Sequence, residues 1–306
     1  MPLRFIIVCV FVVLSCHHAM AETDFDLGTE AYAKKQYDQA VAHWEKAADS
    51  GDNMAQFKLG GMYFLGLGAT QDYGKALKYY GMAASAGRPE AQAYLGVMFE
   101  NGLGVPKDFN KAAGWYQTAA DQNFAPAQFM LAGLYTTGNG VQQDLVKAAR
   151  LYEAAANQGH VEAQLILGLL YEDGKGVPQD NKEGMKWILS AAKQGDPIAQ
   201  YNVGTRYFYG KVIKQDYSEA RIWFLKSAQQ SYAMSQAMLG IMYYQGNGVA
   251  KDFVLAHMWL NLSAALGYSA SLSNKKLIEK QMSPEQIDRA QALATKCMSQ
   301  KFANCE

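Results

Sequence analysis

Apolar and small residues return along this chain at a fixed interval. Ala-Gln stands at 55, 91, 127, 163 and 199, and Ser-Gln at 235, so every gap is 36 residues. Four positions on comes an aliphatic residue: Leu59, Leu95, Leu131, Leu167, Val203 or Leu239. A small residue follows at once, glycine in five cases and Ala132 in the other, and three later an aromatic: Tyr63, Phe99, Tyr135, Tyr171, Tyr207 or Tyr243. Spacings of four and three place these side chains on one face of a helix. A glycine inside a helix costs about 1 kcal/mol against alanine, so its return argues for close approach of a neighbouring helix. Glycine pairs then mark a loop at 66/68, 102/104, 138/140, 174/176 and 246/248. The fifth repeat keeps Gly210 but has Val212 in the second place, so its loop is expected to differ.

An aspartate closes each loop: Asp72, Asp108, Asp144, Asp180, Asp216 and Asp252. Too few oxygen ligands accompany each for calcium, so the expected role is capping a second helix. That helix carries Ala76, Ala112, Ala148, Gly184, Ala220 and Ala256, with Tyr79, Trp115, Leu151, Trp187, Trp223 and Trp259 three residues later. The second set reads as a buried stripe. One helical hairpin cannot bury both faces alone; stacked copies can, which is why each restarts with the same surface. Truncating a shared ring such as Tyr171 to Ala is expected to cost about 3–5 kcal/mol.

The expected architecture is all-α, an α/α superhelical solenoid of helix-loop-helix repeats. Six 36-residue repeats fill 55–270 (55–90, 91–126, 127–162, 163–198, 199–234 and 235–270). Residues 22–54 read as a shortened capping hairpin, with Leu27, Gly28, Tyr32, Ala40, Trp44 and Ala47 on the same faces. Residues 271–306 read as capping helices and a tail. There "SPEQ" puts Ser283 at an N-cap, Pro284 at N1 and Gln286 at N3.

The pattern "AQAYLGVMFENGLGVPKDFNKAAGWYQTAADQNFAP" resembles the Sel1-like repeat, a relative of the tetratricopeptide repeat, over about 25–270. "MSPEQIDRAQALA" also looks like the end of bacterial Sel1-like proteins. The resemblance implies a superhelix that serves as adaptor or scaffold for partner proteins. Exported bacterial members are implicated in host interaction, envelope signalling or exopolysaccharide assembly. In the related tetratricopeptide fold, partners lie in a concave groove lined by first helices. Carried onto this chain, that geometry selects Phe57, Phe64, Phe129, Tyr201, Arg206, Phe208, Tyr209 and Tyr244, with Arg206 placed to grip an acidic or aromatic group. The alternative is that these rings pack on a neighbouring repeat or on the loop at Val212.

Half of the 306 residues are apolar and 18% charged, enough for a buried core. Arg4, the run "FIIVCVFVVL" and "AMA" at 19–21 form the pattern of a secretory signal peptide, with cleavage expected after Ala21. Ten apolar residues fall short of the roughly 20 that span a bilayer. The alternatives are an uncleaved anchor, or a membrane lipoprotein anchored at Cys16 of "VLSC". Without residues 1–21 the balance is 27 basic against 28 acidic, which gives no pull toward nucleic acid. No transmembrane segment is expected in the mature chain, and localisation is expected to be periplasmic or secreted. Cys297 and Cys305 then read as a disulfide pinning the tail, with two free thiols as the alternative.

Catalysis has little to stand on. "SAAK" (190–193) and "SNKK" (273–276) match S-x-x-K, a three-letter frame met by chance, without the SDN or KTG that the chemistry of β-lactamases needs. That weighs against the β-lactamase label some cysteine-rich Sel1-like proteins have carried. His43, His160 and His257 lie in different repeats with no metal-ligand spacing. No catalytic residue, cofactor or metal is expected. The expected function is a protein-binding scaffold, and the alternative is binding of peptidoglycan or another polysaccharide.

Overall fold

A computed structural model describes residues 23–300, together with Phe302 and Cys305. The signal-peptide and Cys16 expectations lie outside the described residues. Every regular element among the described residues is a helix.

The described chain forms two compact units, one ending at Ala86 and one starting at Gly87. The N-terminal unit holds α1 (Asp24–Ala33), α2 (Tyr37–Asp49), α3 (Asn53–Leu65) and α4 (Tyr73–Ser85). The C-terminal unit holds α5 (Pro89–Asn101), α6 (Phe109–Ala120), α7 (Ala125–Thr137), α8 (Leu145–Asn157), α9 (Val161–Asp173), α10 (Asn181–Lys193), α11 (Pro197–Tyr209), α12 (Tyr217–Ala228), α13 (Ala233–Gln245) and α14 (Phe253–Ala265). It ends with α15 (Ser269–Glu279) and α16 (Pro284–Ser299), both packed on α14. From α5 to α14 each helix packs on the next, which is the order of a repeat solenoid.

Local signals set the hairpins. Each of the six loop aspartates accepts hydrogen bonds from backbone N–H groups of its second helix, as with Asp144 Oδ1 and Lys147 N at 2.9 Å. The expected box at Ser283 and Gln286 is present. The first loop glycines end the first helices in the left-handed region. The second loop glycines do more. A Cβ on Gly140 would lie 2.3 Å from the Phe109 carbonyl, and one on Gly176 would clash as closely with the Leu145 carbonyl oxygen. Only a glycine lets that loop lie against the previous repeat's second helix. Val212 keeps the same left-handed backbone, at φ 73°, so the fifth loop retains its turn.

The interior differs from the sequence reading in one register. Trp115, Trp187 and Trp223 are half-buried, while Tyr79 and Trp259 are buried. The residue one place further is buried in every second helix: Tyr80, Tyr116, Tyr152, Ile188, Phe224 and Leu260. It presses on the small residue of the first helix: a Cβ on Gly96 would stand 2.4 Å from the Tyr116 ring. That contact gives the recurrent glycine its purpose. Tyr171 is likewise half-buried, so its truncation is expected to cost less than a fully buried ring.

The six glutamines of the Ala-Gln and Ser-Gln pairs are buried within their helices. Gln164 Nε2 donates to the Ala156 carbonyl at 3.1 Å, and its Oε1 accepts from Gln194 at 2.7 Å. At the tail, buried Cys297 and Cys305 have Cα atoms 4.9 Å apart, within the span a disulfide bridges.

Candidate functional site

First helices of the C-terminal unit carry large apolar side chains open to water at one repeat after another: Tyr94, Met130, Leu169, Ile198, Tyr209 and Met234 are all exposed, and helical spacing puts them on one face. Single exposed apolar residues are ordinary, but a row of them along consecutive elements is a surface built for contact.

The rings selected from sequence mostly serve packing. In the N-terminal unit Phe57 lies 5.8 Å from Tyr80, and Phe64 meets the edge of Tyr73 at 5.4 Å. Phe129 stacks on His160 at 4.7 Å, Tyr201 packs on Tyr232 and Phe224, and Tyr244 leans on Phe253. These residues are half-buried and offer an edge to solvent. Two need correction as contact residues. Phe208 is 7% exposed, enclosed by Tyr209, Tyr217 and Phe224. Arg206 is already gripped from within. Its Nε donates to Glu172 Oε1 at 2.7 Å, its Nη2 pairs with Glu172 Oε2, and its Nη1 donates to the Asn202 carbonyl at 2.7 Å. The sequence reading missed Glu172 because it sits one repeat back on α9.

Tyr209 is 59% exposed, the most open ring of the selected set. Tyr201, Tyr232 and Tyr268 stand at or near the starts of α11, α13 and α15. The Tyr201 hydroxyl is pushed above its ordinary range, first by burial and then by the tyrosines beside it, Tyr232, Tyr268 and Tyr209. The Tyr232 hydroxyl is raised likewise, first by burial, so both Tyr201 and Tyr232 stay protonated at neutral pH and act as neutral donors.

Ser190 is half-buried on α10 and Ser273 exposed on α15, and neither hydroxyl bonds its lysine. His43 faces Asp24, His160 caps α9, and His257 bonds Glu279 at 2.9 Å. Among the described residues no group of three His, Cys, Asp or Glu gathers in a way that would hold a metal, and no helix is long and apolar enough to cross a membrane.

The model of the Sel1 repeat family matches seven stretches, 25–52, 53–87, 89–124, 125–160, 161–196, 197–232 and 233–268. The first is the hairpin that the sequence reading set apart as a cap. Among solved structures, a Sel1 repeat protein from Oxalobacter formigenes is similar at 32% identity and a TM-score of 0.73, over 78% of this chain and 98% of its own. A protective antigen present in uropathogenic Escherichia coli strains, displaying an SLR fold, is similar at 23% identity and a TM-score of 0.50, over 92% of this chain and 85% of its own. Among curated proteins none matches.

Proposed function

This chain belongs to the Sel1 repeat family, and on that premise we propose that it is an exported scaffold whose first-helix face forms the groove that holds a partner protein. Sel1 repeat proteins typically mediate protein–protein interaction, and their fold is generally a non-catalytic scaffold. The observation that carries the reading is the row from Tyr94 to Met234. These side chains are large and apolar, yet each stands more than a third open to water. In this proposal the partner-binding set of the C-terminal unit is that row together with the open edges of Phe129, Tyr201 and Tyr244, and the N-terminal unit by itself offers the edges of Phe57 and Phe64.

Export through residues 1–21 and oxidation of Cys297 with Cys305 belong to the same proposal, with a role in host interaction or envelope signalling. A photo-crosslinking residue placed at Tyr94 or Tyr209 is expected to capture a partner protein in the exported chain. The same residue at Ile222, exposed on α12, is expected to capture none. Capture from Ile222 alone, or from no position, overturns the proposal.

A second reading, binding of peptidoglycan or another polysaccharide, draws on Tyr201, Tyr232 and Tyr268, because hydroxylated rings suit sugars. Co-sedimentation with isolated cell wall that Tyr232→Ala abolishes would favour it.

A further inference from the structure

The C-terminal unit is not uniform in charge. Residues 89–196 hold eight Lys or Arg against twelve Asp or Glu, and residues 197–282 hold nine against four. Two clefts open in or beside the basic stretch.

The first cleft, of about 580 Å³, lies where α9 meets α11, with Arg206, Lys211, Val212 and Asn181 on its walls. Val212 sets this loop apart from the others. At the matching positions a Cβ on Gly140 or Gly248 would sit 2.3 or 2.7 Å from the previous repeat's second helix. Val212 carries such a Cβ and more, and it lines the cleft together with Asn181. The side chain remains 40% exposed. Left-handed backbone is costly for a β-branched residue, and strain of this kind gathers at sites of function. Glu172 neutralises Arg206, while Lys211 has no carboxylate partner among the described residues.

The second cleft, of about 230 Å³, lies between α13, α14 and α15. Its walls are Ile241, Leu260, Leu277 and Ile278, with Tyr244 beside them. Leu277 is 56% exposed there. Lys251 lies over the rings of Tyr244 and Phe253, at 5.4 and 4.9 Å, and also lacks a carboxylate partner among the described residues.

We infer that the α11–α15 stretch binds an acidic, leucine-bearing segment of a partner polypeptide, its aliphatic side chains in the Ile241–Leu277 cleft and its carboxylates at Lys211 and Lys251. This rests on the scaffold reading and names the chemistry of the partner. Unpaired lysines meet a carboxylate without first breaking an ion pair, so opposite charge adds attraction and speeds encounter. The aliphatic walls of the second cleft reward a branched apolar group, which acidic sugars lack.

Fluorescence anisotropy tests this with the purified chain. The probe is a fluorescein-labelled amphipathic peptide with leucine on one face and glutamate on the other; its twin carries lysine for glutamate. The acidic peptide is expected to bind, more weakly as salt rises, and its twin is not. Lys211→Glu with Lys251→Glu is expected to weaken binding about tenfold, and Leu277→Asp by a similar factor, as loss of steering and of an apolar anchor would. All three positions are at the surface, and an unchanged Tm establishes that each variant folds. Lys193→Glu with Lys296→Glu, on α10 and α16, is expected to leave binding unchanged. Equal binding of both peptides, binding of neither, or indifference to the cleft variants overturns the inference. Binding of polygalacturonate without binding of the acidic peptide also overturns it, in favour of an acidic polysaccharide. If partner capture from Tyr94 or Tyr209 persists while the acidic peptide fails, this inference falls and the scaffold reading stands; if capture fails too, both fall.

Discussion

Repeats 89–196 and the stretch from 197 to the end of α15 share one hairpin frame and treat their seams differently. In the first, each seam is closed by a glutamine pair: Gln122 to Gln92 at 2.7 Å, Gln158 to Gln128 at 2.8 Å, Gln194 to Gln164 at 2.7 Å. Around those pairs lie alanines, which pack closely and ask for nothing. In the second stretch Gln230 still reaches Gln200 at 2.9 Å. One repeat later Leu266 stands where the partner of Gln236 would be, and the buried Gln236 Oε1 is left unpaired. Serines replace the alanines and bond one another across the seams, Ser235 to Ser227 and Ser263 to Ser271, each at 2.7 Å. A seam thus accepts new chemistry provided its shape holds and its polar groups are mostly matched. Outside the seams no such constraint applies, and the net charge of the two stretches differs in sign while the frame persists.

The sharpest test of frame against face is in α11 and α12. Phe224 is fully buried against Gly204, and Tyr209 is open to water. Phe224→Ala is expected to lower unfolding free energy by about 3–5 kcal/mol, and Tyr209→Ala by less than about 0.5 kcal/mol, read from urea midpoints. Similar losses at both sites would erase the distinction.

Between seams, Gly168 and Ala132 occupy the same place and make a reciprocal pair of tests. A Cβ on Gly168 would meet the Gly184 carbonyl oxygen at 2.7 Å and Ile188 Cγ1 at 2.6 Å. Backbone cannot swing aside as a ring can, so Gly168→Ala is expected to cost about 1–3 kcal/mol. Ala132→Gly, where the Cβ already fits, is expected to cost only about 1 kcal/mol, through helix propensity. Next in size, Val212→Gly is expected to raise stability by up to about 1 kcal/mol. Relief of left-handed strain exceeds the entropy that glycine adds to the unfolded chain. A loss on that substitution would mean that favourable packing of Val212 outweighs the strain.

The hairpins, the aspartate caps and the loop turns were legible because one periodic signal repeats them and each is local. The register of the inner ring was not. Tryptophan at 115, 187 and 223 drew attention by size, yet the quieter signal lay beside it: positions 80, 116, 152, 188, 224 and 260 are apolar in every repeat, even where Leu151 replaces the tryptophan. The recurrent glutamines were visible, but a helical glutamine reads as solvent-facing; its burial depends on a carbonyl and a second glutamine that come from other helices. The pairing of Arg206 with Glu172 and the cleft behind Val212 are likewise products of stacking. They join residues about a repeat apart, which no local pattern displays.

The smallest expected effect contrasts two caps. Asp196 begins α11 and accepts from Ala199 N at 2.6 Å, while His160 begins α9 and accepts from Ala163 N through Nδ1 at 3.4 Å. Burial against Phe129 holds the His160 imidazole below its ordinary range, with Glu162 partly opposing it. The neutral ring is the one that fits: protonation removes the accepting lone pair and sets a positive charge at the positive end of a helix. The folded chain therefore binds this proton less readily than the unfolded one. The stability it contributes is complete above about pH 6.5, the ordinary histidine value, and is lost as pH falls from there toward the depressed one. His160→Asn keeps an accepting cap that does not titrate. Its Tm is expected to fall less than that of the native chain between pH 8 and pH 5.5, by a difference worth less than about 1 kcal/mol. Carboxylates elsewhere weaken both chains alike on acidification, so the difference between the two profiles isolates the imidazole. Parallel profiles would show that His160 does not set the acid sensitivity of this seam.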